Sequence, residues 1–225
     1  MTKIIVFGST GQTGIQCARV ALENPDNEVT VFLRTPSRLP EDLHSKVKIV
    51  VGDVMDQKAV VAAMEGQDAA LSALGTGKSL GKTTVISTGV SNIVAGMKEH
   101  GVKKIVIVGI AYLLDGYFGG KAWKCVFAKI TADHTRALNV LKQQGDEVGW
   151  VGIMPPEIVD QDPTGNYATA VEKLAGSEKI TTGDMAHAMV TLVCDDDKFA
   201  EVNKKLLGIS SLGLSTSTAY NCNIL

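Results

Sequence analysis

Glycines stand at positions 8, 11 and 14 in Gly8-Ser9-Thr10-Gly11-Gln12-Thr13-Gly14, directly after the apolar run Lys3-Ile4-Ile5-Val6-Phe7. A strand, a turn poor in Cβ atoms and the start of a helix, in that order, let the backbone come close to a ligand and aim unpaired N–H groups at an anion. The pattern predicts a site for a nucleotide pyrophosphate. Charge-assisted hydrogen bonds there would contribute about 1.5–3 kcal/mol each. About twenty residues past such a loop, a site for NAD carries Asp or Glu to hold the ribose hydroxyls. This chain has Arg34, with Arg38 close behind. A planar fork of donors clamps a 2′-phosphate that a carboxylate would repel, so the expected coenzyme is NADP rather than NAD. The competing reading of Arg34-Thr35-Pro36-Ser37-Arg38 is a solvated basic turn.

Further candidates follow each apolar run. Asp53, in Gly52-Asp53-Val54-Met55-Asp56, could accept from the adenine amino group, and Asp56 reads as a helix N-cap; both acids could equally be structural. Gly75-Thr76-Gly77 would let the backbone pass close to the nicotinamide ribose. Glu157, in Met154-Pro155-Pro156-Glu157, either faces the nicotinamide or is an exposed loop carboxylate. Tyr117 and Lys121 have the spacing of a Tyr/Lys proton-donating dyad, which would make a ketone reductase or epimerase. Phe118-Gly119-Gly120 between them weakens the helix the dyad needs, and Gly109-Ile110 ends the preceding strand without a hydroxyl.

The elements that must position these residues are legible as short Val/Ile-rich runs near 3–7, 28–33, 47–51, 69–74, 104–109 and 148–153, alternating with helical patterns. That alternation predicts a single-domain α/β fold, a doubly wound parallel sheet with helices on both faces. Ligands of such a sheet bind beyond the carboxyl ends of its strands, where the candidates fall. Ile15, Ala18 and Leu22 share one helical face, Val90, Ile93, Val94 and Met97 a second, and Ala186, Met189, Val190 and Val193 a third. A long helix around 121–142 aligns Phe127, Ile130, His134, Ala137, Leu138 and Leu141, where His134 reads as a hydrogen-bonded core histidine.

The 225 residues carry 22 basic and 24 acidic side chains, a net charge of −2, without the basic stripe of a nucleic-acid binder. No apolar run is long enough to span a bilayer, and the N-terminus has no secretory-signal pattern, so a cytoplasmic protein with a small-molecule substrate is expected. Cys17, Cys125, Cys194 and Cys222 lack metal-ligand spacing and read as reduced thiols.

GSTGQTG (8–14) has the GxxGxxG spacing of extended and atypical short-chain dehydrogenase-like domains. Together with LRTPSRL (33–39), VVGDV (50–54), ALGTGKSLGKTTV (73–85), NIVAGMKEHGV (92–102), DHTRALNVLKQQG (133–145) and MPPEIVDQDPTGNY (154–167), it resembles the biliverdin reductase B family of NADPH-dependent flavin reductases. The likeness runs from residue 3 to about 195. It implies a monomeric cytosolic oxidoreductase that passes a hydride from NADPH to a free flavin or a biliverdin, the flavin being substrate rather than prosthetic group. By motif position it implies that Gly8, Thr10, Gly11, Gln12, Thr13 and Gly14 hold the pyrophosphate, Arg34 and Arg38 the 2′-phosphate, and Asp53 with Val54 the adenine. Leu74, Gly75 and Thr76 would line the nicotinamide ribose, with Gly109, Met154 and Pro155 also at the coenzyme. The family places a serine where this chain has Ile110 and a histidine where it has Glu157, both at the substrate pocket. The changes remove a polar handle and add negative charge, which disfavours anionic acceptors. Such departures also fit a non-catalytic NADPH-sensing regulator.

Residues 1–200 read as the nucleotide-binding domain and 201–225 as a flexible C-terminal extension. The end, Cys222-Asn223-Ile224-Leu225, approaches a prenylation signal, although Asn223 is not aliphatic; the alternative is a frayed tail. A single lipid would give weak membrane association.

Overall fold

The computed structural model describes residues 1–77, 81, 83–114, 121–174 and 178–213, with the side chains of 121–127 outside that description. Tyr117, the side chain of Lys121, Phe127 and the Cys222 tail therefore lie outside the described residues.

The chain runs β1 (Lys3–Phe7), α1 (Gln12–Leu22), β2 (Glu28–Leu33), α2 (Glu41–His44), β3 (Lys48–Val51), α3 (Gln57–Ala63), β4 (Ala69–Ser72), α4 (Val85–His100), β5 (Lys104–Val108), α5 (Lys121–Lys142) and β6 (Gly149–Met154). It continues through β7 (Glu157–Val159), β8 (Tyr167–Val171), β9 (Lys179–Thr181), α6 (Thr182–Cys194), α7 (Asp196–Val202) and β10 (Lys205–Ser211). Among the described residues an eight-stranded sheet has the order β3-β2-β1-β4-β5-β6-β10-β8. The order reverses between β1 and β4, the switch point where α/β sheets bind their ligands.

The central strands are covered on both faces, so their interiors are mostly apolar instead of alternating. Ile4 and Val6 of β1 face a core with Ala18, Ala21, Met189 and Val193 of α1 and α6. Ile5 and Phe7 face the other core, with Val90, Ile93 and Met97 of α4 and Leu138 and Leu141 of α5. The helical stripes read from the sequence are these packing faces. Cys17 is buried beside Met189, and burial pushes its thiol up to about 12, so it is unreactive.

Two features correct the expected organisation. The boundary expected at residue 200 falls inside the fold: β10 pairs parallel with β6, from Lys205↔Val151 to Gly208↔Met154. The sheet is also not wholly parallel, since β8 closes its edge antiparallel to β10. A separate two-stranded ribbon joins β7 to β9. Burial of Leu206, Leu207 and Ile209 explains the inclusion of β10, whose apolar alternation fills both cores.

His134 is buried as expected, but its Nδ1 has no hydrogen-bond partner among the described residues. Burial holds its pKa down to about 4, against the opposing pull of Asp133. Between about pH 6.5 and about pH 4 the unfolded chain takes up a proton at this site that the folded one refuses. Stability is therefore full above that window and falls as pH drops through it, by about 3 kcal/mol in total. Chemical denaturation of the wild type and His134→Leu across the window should show this extra loss in the wild type alone; parallel pH profiles would refute it.

Candidate functional site

The glycine turn is built on three glycines with different duties. Gly8 has φ +80°, and a Cβ there would lie 2.4 Å from the carbonyl oxygen of Ala73 at the end of β4. A Cβ on Gly14 would lie 2.2 Å from the Gly8 carbonyl oxygen, so this glycine lets α1 pack onto the turn. Gly11 is exposed, and the nearest atom to a Cβ there is the Gly8 oxygen at 3.4 Å. Its bare Cα is not demanded by packing, which leaves it facing the open side of the turn. The Gly11 N–H donates to the Gly8 carbonyl at 3.0 Å and closes the loop. Among the described residues no side chain caps α1, and no acid occupies its first turn. The N–H groups of the first turn and the positive end of the helix dipole are thus left for an external anion. That cradle fits the pyrophosphate of a dinucleotide.

Arg34 and Arg38 sit beyond β2, both exposed, Arg38 on the short 3-10 turn Pro36–Arg38. The Arg34 guanidinium lies 3.7 Å from the Asp53 carboxylate beyond β3, an exposed pair of little stabilising value. The pair links the chain beyond β2 to the chain beyond β3 at the carboxyl end of the sheet. Asp53 also accepts from the Met55 N–H, and Asp56 caps α3 by accepting from the N–H groups of Lys58 and Ala59. The side chain of Val54 is buried, and Asn92 of α4 donates to its carbonyl at 2.8 Å. Leu74 packs beside Val54 over Gly89, where a Cβ would meet both side chains within 3 Å. Gly75 is exposed with nothing within 4 Å of a Cβ, and Thr76 is half-buried.

On the far side of the switch point the carboxyl ends of β5 and β6 are tied together. The Gly109 N–H donates to the Ile153 carbonyl at 2.7 Å, and the Ala111 N–H to the Pro155 carbonyl at 2.9 Å. Ile110 and Pro155 therefore border the same space, and Glu157 starts the exposed β7 two residues on. Met154 is fully buried, its thioether lying over Gly109 and Gly152, where added Cβ atoms would be 2.3 and 2.6 Å from its methyl carbon. Its side chain is a core group, so what this position presents to the rim is backbone.

A strap after β7 lies along α1. Gln12 donates to Asp160 at 2.7 Å and Gln16 to Asp162 at 3.3 Å. Its far end is held by Asp184 near the start of α6, which is fully buried and accepts from the Thr164 N–H and hydroxyl, the Gly165 N–H and the Ser211 hydroxyl. Burial works against the charge on Asp184, but these hydrogen bonds outweigh it and hold the carboxyl below the usual range. None of these strap contacts had a signal in the sequence. Thr181 and Asp184 alone could have been suggested by spacing, since the Thr181 hydroxyl accepts from the Asp184 N–H as an N-cap does.

A surface cleft of about 360 Å³ opens at the opposite end of the sheet, among Lys3, Thr30, Lys46, Lys48 and Gln67. It lies at the amino ends of the strands, away from the glycine turn, and has no part in the site.

Strand order, the open turn at the switch point and the uncapped helix define a dinucleotide-binding α/β protein. The sequence model of the NAD(P)H-binding family matches residues 8–196, and the chain belongs to that family. It is 22% identical over 237 residues to oxidoreductase aflX of Aspergillus parasiticus, covering 98% of this chain and 86% of that protein. Its fold resembles that of ChuY, an anaerobillin reductase from Escherichia coli O157:H7, with TM-score 0.78, 17% identity and 95% and 99% of the two chains covered. It also resembles a wide-type short-chain dehydrogenase/reductase from Veillonella parvula solved with NADP, with TM-score 0.78, 15% identity and 94% and 95% covered. No described helix is long and apolar enough to cross a membrane.

Proposed function

We propose that the protein is an NADPH-dependent oxidoreductase whose acceptor is a free planar molecule, a flavin (FMN, FAD or riboflavin) or a biliverdin-type tetrapyrrole. The observation that carries this reading is the pairing of an uncapped α1 with two exposed arginines, Arg34 and Arg38, beyond β2. The first suits a pyrophosphate, the second a 2′-phosphate, and the carboxylate expected of an NAD site is replaced by a guanidinium. The NADP complex of the Veillonella relative and the tetrapyrrole chemistry in the name of the Escherichia relative support it.

When bound, NADPH supplies a hydride. The chain's own part is to bind and orient. The α1 N–H groups and Gly11 hold the pyrophosphate, Leu74, Gly75 and Thr76 fix the ribose beyond β4, and the acceptor lies beside Ile110 and Glu157. Such acceptors are already electron-poor, so holding two rings in register contributes most of the rate, and the remaining proton can come from water. A ketone would need a donor at its developing alkoxide. The described residues ending β5 and β6, Gly109, Ile110, Met154 and Pro155, offer no hydroxyl or imidazole for that task.

The test is loss of nicotinamide absorbance when NADPH is mixed with FMN, riboflavin, a biliverdin or a quinone. Turnover with a flavin or biliverdin is expected. Tight NADPH binding without turnover on any of them would replace this reading with a coenzyme sensor, and activity on a ketone abolished in Tyr117→Phe would replace it with a dyad reductase. Glu157 adds negative charge beside the acceptor, so riboflavin should be favoured over FMN in the wild type relative to Glu157→His.

A further inference from the structure

The start of α4 is capped from another helix. Thr84, its N-cap residue, makes no side-chain capping bond. Asp133 of α5 does so instead, accepting from the Ile86 N–H at 3.1 Å, the Ser87 N–H at 3.3 Å and the Ser87 hydroxyl at 2.5 Å. Asp133 is fully buried. Arg136, one turn along α5 and 44% exposed at its side chain, donates to Asp133 at 3.0 Å and to the Thr83 carbonyl at 2.7 Å. One guanidinium thus pins the residue that leads into α4 and neutralises the carboxylate that caps it.

We infer that Asp133 and Arg136 are positioning residues for the nicotinamide half of the coenzyme site. The chain leaves β4 at Leu74–Thr76 and enters α4 at Thr83 and Thr84. Its first end is held by Leu74, packed on Gly89 of α4. Its second end is held by Arg136. Both anchors depend on where α4 starts, and Asp133 sets that start. The adenosine half is held away from the start of α4: Asp53 and Asp56 are fixed by N–H groups of their own turn, Arg38 sits on its own short helix, and the hydrogen bond that ties Val54 to α4 comes from Asn92, two turns beyond that start. Asp133 also occupies the positive end of α4 with an internal carboxylate, so that of the two helices starting beside the switch point only α1 offers its N-terminus to a coenzyme phosphate.

Arg136→Gln is the discriminating variant, because its partly exposed side chain can be replaced without burying a new group. Calorimetry should show NADPH binding weakened about tenfold, as expected for losing one charge-assisted hydrogen bond at a positioning contact. Binding of adenosine 2′,5′-bisphosphate, which occupies only the adenosine half, should stay within about twofold, a change under about 0.4 kcal/mol. Arg136→Lys, which keeps the charge and a single nitrogen able to donate to both acceptors as Nη2 does, should recover part of the NADPH affinity. Asp133→Asn should show the same split if it folds. Equal weakening of both ligands, or no weakening of NADPH, would overturn the assignment. This inference rests on coenzyme binding rather than on the acceptor: a wild type that binds NADPH but reduces no flavin or tetrapyrrole sinks the proposed reaction and leaves the inference intact, whereas a wild type that binds no NADPH sinks both.

Discussion

Gly14→Ala should destabilise the protein by about 3 kcal/mol or more, at the upper end of what one added methyl does in a packed site. The new Cβ would lie 2.2 Å from the Gly8 oxygen, 2.7 Å from the Gly8 carbonyl carbon and 2.9 Å from the Ser9 Cα, all backbone atoms that cannot rotate away. The helix must lift off the turn, and coenzyme binding should go with it. Gly8→Ala should be worse still. It combines a 2.4 Å approach to the Ala73 oxygen with φ +80°, a left-handed conformation that costs an L-residue about 1–2 kcal/mol more. Gly11→Ala is the control that separates folding from binding. Its backbone, φ −89° and ψ 158°, suits any residue, and its Cβ meets only one atom, at 3.4 Å. Thermal melting should leave Gly11→Ala near wild type while calorimetry shows NADPH affinity severely reduced. A Gly11→Ala protein that binds NADPH normally would mean that the open side of this turn does not face the pyrophosphate.

Removing both Arg34 and Arg38 should lower the preference for NADPH over NADH by about 10²–10⁴-fold, from two charge-assisted contacts of about 1.5–3 kcal/mol each. Stability should hardly change, because Arg34 is 70% exposed at its side chain and its partner Asp53 is 44% exposed. The neighbouring carboxylate gives the prediction a second edge. Once Arg34 is gone, Asp53 is free of its 3.7 Å partner and its carboxylate can accept from the adenosine of a coenzyme without a 2′-phosphate, so NADH binding should hold or improve. The measurement is the pair of dissociation constants in the double variant and in each single one. Loss of both coenzymes in equal measure would show that these arginines act through the fold and not on a 2′-phosphate.

Much of the fold around the glycine turn was legible from the chain alone. Ile4-Ile5-Val6-Phe7 is apolar at every position because β1 is covered on both faces, and that run followed by three spaced glycines announces strand, turn and helix. The arginines after β2 follow from charge, a property that does not depend on the fold once the strand end is placed. Asp56 capping α3 was legible for the same reason, since its partners are two and three residues away. The carboxyl ends of β5 and β6 were less so. Met154 follows a strand and looks available, yet its side chain turns into the core because glycines at 109 and 152 leave room for it. His134 lies on a packing stripe as the periodicity requires, but periodicity says nothing about whether its ring nitrogens find partners.

By itself, then, the sequence determined six parallel strands, the glycine turn and the basic pair Arg34 and Arg38 beyond β2. All three are written in neighbouring residues, through period, turn chemistry and charge. The tertiary structure decided that β10 joins the sheet beside β6, that Gln12 reaches Asp160 across 148 positions and that Asp133 caps a helix 46 positions earlier. Such contacts form because packing two apolar faces onto one sheet brings distant polar groups together out of water, where each must find a partner.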